Sequence, residues 1–95
     1  RANIAACRAQ DVTTVLAVNA LAVPEGDAAN LVFLDPPYRN DQLADAIDRL
    51  RAVGRLAPKA LMIVETARSD PPPITAPLLA ERVHGAARLS IWRED

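Results

Sequence analysis

The segment Leu31, Val32, Phe33, Leu34, Asp35, Pro36, Pro37, Tyr38 sets a carboxylate, a double proline and an aromatic ring directly after an apolar run. These parts suit chemistry on an amino group conjugated to a base ring. Such a nitrogen is a poor nucleophile because its lone pair is delocalised. Accepting its two N–H groups, at the Asp35 carboxylate and the main-chain carbonyl of Pro36, would favour the pyramidal amine as it attacks an electrophilic methyl. Pro36 and Pro37 cannot donate to a sheet ladder, so they free that carbonyl and hold the turn rigid. The ring of Tyr38 can stack on a base taken out of its own stack. Arg39 follows, either to meet a substrate phosphate or to remain a solvated loop arginine.

The elements that must hold these residues follow from periodicity. The run 31–34 reads as a buried strand that ends at Asp35. From Asn40 or Asp41, either of which can cap, Leu43, Ile47 and Leu50 recur at helical spacing until Gly54 stops the helix. Residues 60–64 form a second apolar strand ending in Glu65, and Pro71, Pro72 and Pro73 then stiffen a connection. Runs 79–84 and 87–92 read as a hairpin about Gly85. Upstream, residues 2–9 read as the end of a helix holding Cys7. The β-branched run 12–18 reads as another strand, leading to Asn19, Ala20 and a loop. Strand, helix, strand indicates an α/β layer, in which ligands sit outside the carboxyl ends of the strands. Asn19, Asp35 and Glu65 occupy three such ends.

Composition bounds the partners. The 95 residues are 51% apolar with three glycines, against disorder, and no apolar run reaches the roughly 18 to 20 residues of a membrane span. A net charge of −1 gives no diffuse basic field, so nucleic-acid binding would rest on local arginines. The single Cys7 cannot form an internal disulfide and reads as a reduced cytosolic thiol. His84 has no ligand partner at metal spacing, Glu65 reads as a solvated carboxylate, and Trp92 reads as core. The chain starts at Arg1 without an initiator methionine or a secretory leader, which reads as a point inside a longer protein.

The Asp35, Pro36, Pro37, Tyr38 segment resembles the D-P-P-Y motif of methyltransferases acting on amino groups of nucleic-acid bases. The wider run, from Ile4 through the motif to His84, Gly85, Ala86, Ala87 and Arg88, is similar to the bacterial family that methylates a guanine amino group in small-subunit ribosomal RNA. The resemblance implies S-adenosylmethionine as cofactor, ribosomal RNA or the small subunit as partner, and a cytoplasmic location. It implies Asp35 and Pro36 on the target amino group, Tyr38 stacked on the base, and Pro37 and Arg39 against the substrate. In that family a glycine-rich turn and an acidic residue on the first two strands hold the cofactor; neither is in this sequence. A Gly-Asp-Ala meets the adenine in the family, whereas this chain has Val18, Asn19 and Ala20. Asn19 either accepts that hydrogen bond without the charge or serves as a turn residue.

The expected architecture is α/β: a partial Rossmann-like class I methyltransferase sheet lacking its first two strands, with a C-terminal antiparallel hairpin. Residues 1–95 form one domain, the C-terminal portion of a methyltransferase domain. The sheet order implied by the resemblance is third, second, first, fourth, fifth, seventh, sixth strand. Without the first two, run 31–34 would present an unpaired apolar edge, so self-association of the isolated chain is expected. The isolated chain is expected to be inactive and not to bind the cofactor normally. Two rival readings are an adenine amino-methyltransferase on DNA or RNA, and a non-catalytic α/β module or pseudo-enzyme that binds RNA or protein.

Overall fold

A computed structural model describes residues 7, 12–13, 16, 20–35, 40–74 and 76–94. A short 3-10 turn, Ala20–Ala22, leads to strand β1 (Ala29–Leu34), helix α1 (Asn40–Ala52), strand β2 (Leu56–Ala67) and the hairpin β3 (Ala80–His84) and β4 (Ala87–Arg93). The sheet order is β1-β2-β4-β3, with β1 and β2 parallel and the other neighbours antiparallel. This reproduces the expected fourth, fifth, seventh, sixth order. Parallel neighbours require a crossover, and α1 supplies it.

The helix ends where its sequence says it should. Gly54 takes a φ of 73°, its N–H bonds the Arg51 carbonyl at 3.2 Å, and the N–H of Arg55 bonds the Leu50 carbonyl at 2.8 Å. That pair of bonds is the Schellman closure, which needs a left-handed residue best filled by glycine. The hairpin turns on Gly85 at φ 60° with Ala86 second, the arrangement of a two-residue turn with glycine first.

Every second residue of β2 faces α1. Ala60, Met62 and Val64 are buried there with Leu43, Ala46 and Ile47 of the helix and Trp92 of β4. Val32, Leu34, Leu56, Ile74 and Ala76 pack around this cluster. Each large side chain so buried contributes roughly 1.5–3 kcal/mol. Two features of β2 were not expected. Its register against β1 slips between Ala29 and Leu31, at a bulge containing Pro58 and Lys59, the latter at φ 62°. It also runs two residues beyond Glu65, because β4 continues to pair with it after β1 has ended.

Two expectations fail upstream. In the run 12–18, Val12 lies in a 3-10 turn and is 87% exposed, and neither Thr13 nor Leu16 is in a strand; the other residues of the run lie outside the described residues. β-Propensity expresses itself only where a ladder partner and a packed face are present, and among the described residues the exposed Val12 and Leu16 have no ladder partner. Cys7, expected inside a helix, sits exposed in a turn. The rest of that expected helix lies outside the described residues.

Among the described residues β1 is an edge of the sheet, and Leu31 and Phe33 are each 59% exposed. No described helix is long and apolar enough to cross a membrane.

Beneath α1 the Ser90 hydroxyl is fully buried and has no hydrogen-bond partner among the described residues. Ser90→Ala should therefore raise unfolding stability by about 1 kcal/mol, since it removes an uncompensated desolvation cost. Leu43→Ala should lower it by roughly 2–5 kcal/mol. Urea titration of both variants checks this, and a destabilised Ser90→Ala would mean that the hydroxyl is bonded.

Candidate active site

Strand polarity decides which residues meet. Leu34 pairs with Val64 in the parallel ladder, so the next residues, Asp35 and Glu65, emerge side by side at the same end of the sheet. Both follow a residue that packs against α1, so the alternation of the strands turns them to the opposite face. Their carboxyl groups are in hydrogen-bonding contact. That bond, then the charge of Asp35 and a little desolvation, pushes the Glu65 carboxyl above the ordinary value for a glutamic acid.

Glu65 keeps access to solvent, as the sequence suggested, and has Asp35 beside it. The signal was present: each acidic residue directly follows a buried apolar run, and two such runs paired in parallel and in step bring the acids together. What the sequence could not give was the step, because it depends on how the bulge at Pro58 and Lys59 absorbs residues.

The same row continues across the sheet. Glu65 pairs with Leu89, and Leu89 pairs with Arg82, giving the sequence Asp35, Glu65, Leu89, Arg82 over four strands on one face. The hairpin turn at His84, Gly85 and Ala86 lies at this end too, because β3 arrives where β2 finishes. Arg88 ties the end together: it bonds the Arg68 carbonyl through two nitrogens, at 3.0 and 2.8 Å, and pairs with Glu81 at 2.8 Å.

The segment ahead of β1 is held from below by two arginines. Arg49 donates from Nε to the Val23 carbonyl at 2.9 Å. Arg55 donates to Pro24 at 3.0 Å and to Glu25 at 3.3 Å. Gly26 lies so close to the Arg55 guanidinium that a β-carbon there would collide with it. This latch fixes the loop that follows the 3-10 turn beginning at Ala20.

Of the residues singled out in the sequence, Asp35 and Ala20 are described; Asn19, Pro36, Pro37, Tyr38 and Arg39 lie outside the described residues. Trp92 is core, as expected, at 1% exposure. A cavity lies at the opposite end of the sheet, between α1 and the segment around Ile74, with Trp92 and Glu94 on its wall. The Arg51 guanidinium there is already bound by Glu94 at 2.8 and 2.9 Å and by Asp48 at 3.0 Å. Among the described residues, the sheet end carrying Asp35 offers acceptors but no walls that would enclose a nucleoside cofactor.

Comparison with known proteins agrees with the fold. The chain is similar to a solved Escherichia coli protein described as a candidate methyltransferase, with 30% identity and a TM-score of 0.81, over 99% of this chain and 55% of that one. A candidate methylase from Haemophilus influenzae is 25% identical with a TM-score of 0.74, over 98% of this chain and 62% of the other. A conserved Streptococcus pyogenes protein, 24% identical with a TM-score of 0.79, shares the fold over 99% of this chain and 62% of its own. The chain thus spans somewhat more than half the length of these relatives. No curated protein matches the sequence. A family model described as conserved hypothetical protein 95 matches residues 1–93, and the chain belongs to that family.

Proposed function

We propose that this chain carries the base-binding half of an S-adenosylmethionine-dependent methyltransferase whose target is the exocyclic amino group of a guanine in small-subunit ribosomal RNA. The observation that carries the reading is Asp35 at the carboxyl end of a parallel strand, immediately before two prolines and an aromatic residue. The likeness to two proteins described as candidate methylases supports the reaction class. The resemblance of the wider sequence supports the guanine of ribosomal RNA.

The described residues do not make a cofactor pocket, so no step is assigned to the cofactor beyond supplying the methyl group when bound. The chain's own residues act on the acceptor. In this reading the Asp35 carboxylate and the Pro36 carbonyl accept the two N–H groups and face the positive charge that develops on nitrogen. Glu65 adds a second carboxylate next to that charge. Tyr38 stacks on the base, and Pro37 and Arg39 border it, Arg39 within reach of a phosphate. Asn19 and Ala20 serve the adenine side of the cofactor.

In the complete protein, Asp35→Ala should lower the methyl-transfer rate by roughly a hundredfold or more while changing cofactor affinity little, as for loss of a group acting on developing charge. Transfer of labelled methyl to unmethylated small-subunit RNA measures this, and unchanged turnover would remove Asp35 from the mechanism. Tyr38→Phe should keep most activity, whereas Tyr38→Ala should weaken RNA binding by roughly 1–3 kcal/mol, because stacking needs the ring. Equal losses in both would instead assign a role to the hydroxyl.

The carboxyl pair predicts a pH signature in the chain itself. A raised carboxyl disfavours the ionised form in the folded state, so stability should fall as pH rises from the ordinary value of 4.5 through the folded value of Glu65. Glu65→Gln should flatten that fall, because it removes the titrating group. Asp35→Asn should do the same, and the double variant should add little. Thermal melts across pH check the sign, and a flat profile in the unsubstituted chain would show that the fold does not raise the Glu65 carboxyl.

A further inference from the structure

We infer that the end of the hairpin and of β2, around Arg82 and Arg68, is the surface that holds the phosphate backbone of a single-stranded nucleic acid while its base lies at Asp35. The inference rests on the proposed base-modifying reading and assigns that reading its substrate-binding surface.

The chain as a whole has no cationic field to draw a polyanion, with a net charge of −1. Binding therefore needs cations concentrated near the reacting group. The strand pairing concentrates them. Arg82 shares a face and a cross-strand row with Asp35 and Glu65, separated from Glu65 by Leu89 alone. With neighbouring strands about 4.8 Å apart, the Arg82 backbone stands roughly 14 Å from that of Asp35. His84 follows Arg82 on the same face, in the next row but one residue beyond, opposite Ala87. Arg68 stands exposed where β2 leaves the sheet, at the same end.

The arginines at this end divide by what they already bind. Arg88 is committed to Glu81 and to the Arg68 carbonyl, so it braces the hairpin against the end of β2. Arg82 is exposed, and one of its terminal nitrogens bonds the carbonyl of its own neighbour Glu81 at 2.9 Å. A guanidinium has five N–H donors in a planar fork, so Arg82 keeps donors for a phosphate. The row thus runs from two carboxylates, which suit an amino group, across one leucine to a cation, which suits a phosphate. A duplex would hide the amino group in base pairing, so the strand that fits is single or locally opened.

The arrangement at the opposite end provides an internal control. Arg93 has the same charge but lies on β4 opposite Leu61 of β2, at the far end of the sheet, with one nitrogen on the Lys59 carbonyl at 3.0 Å.

The test is fluorescence anisotropy of the chain with a labelled single-stranded 12-nucleotide RNA, repeated over a salt series. Arg82→Ala and Arg68→Ala should each weaken binding several-fold and lower the slope of log affinity against log salt by about 0.7, the value for one phosphate contact on a single strand. Arg82→Lys should keep the slope, since a point charge suffices for counterion release. Arg93→Ala should leave it unchanged. DNA of the same sequence should show the same loss of slope, because the phosphates are shared. The inference is overturned by absence of binding in the unsubstituted chain, by unchanged slopes in Arg82→Ala and Arg68→Ala, by an equal drop in Arg93→Ala, or by a drop seen with RNA alone. If slopes stay unchanged while Asp35→Ala still abolishes methyl transfer in the complete protein, the catalytic reading stands and this surface alone is wrong.

Discussion

The parallel pairing of β1 with β2 is the constraint from which the rest of the molecule follows. Two strands pointing the same way cannot be joined by a tight turn, so the chain must climb back over the sheet, and α1 is the segment that does so. Leu43, Ala46 and Ile47 on the helix meet Ala60, Met62 and Val64 on β2, and Trp92 extends the contact to β4. The burial fixes which face of each strand looks inward. Because side chains alternate along a strand, the outward face is fixed at the same time, and with it the direction of Asp35 and Glu65. A shift of one residue in either strand would turn one carboxyl toward the core and separate the pair.

The same constraint gives the sheet end its chemistry. Parallel strands finish together, which puts two acidic residues next to each other, and the hydrogen bond to Asp35, followed by its charge, raises the proton affinity of Glu65. Their joint presence is understandable where a positive charge, or a donor about to acquire one, visits the site. The hairpin then contributes the opposite charge. Because β4 runs antiparallel to β2, its turn returns to this end of the sheet and carries Arg82, His84 and Arg88 with it. Acceptors and cations come from distant parts of the sequence and are brought together by strand direction.

The loop ahead of β1 is organised differently. It is irregular apart from one 3-10 turn, and what fixes it is the set of bonds from Arg49 and Arg55 to three successive carbonyls, with Gly26 admitting the guanidinium. Carbonyls outside regular structure need donors, and side chains of the adjoining helix supply them. The latch thereby links the end of α1, and so the core, to the segment that begins at Ala20.

By itself the sequence determined the local elements and the chemistry offered by the acceptor motif. The apolar run before Asp35, the spacing of Leu43, Ile47 and Leu50, the stop at Gly54 and the turn at Gly85 all act over a few residues, and each appears where those residues dictate. The resemblance of the chain to a known family supplied the strand order, which local pattern does not contain. Tertiary structure alone decided the rest. The run 12–18 has strand-forming residues, yet Val12, Thr13 and Leu16 form none, because β-structure is completed by partners and not by propensity. Glu65 gave no sign of its partner because Asp35 is thirty residues away in the chain and one strand away in space. The register that joins them passes through a bulge at Pro58 and Lys59, whose geometry is set by both flanking strands at once, and a linear pattern carries no record of a length that two strands must agree upon.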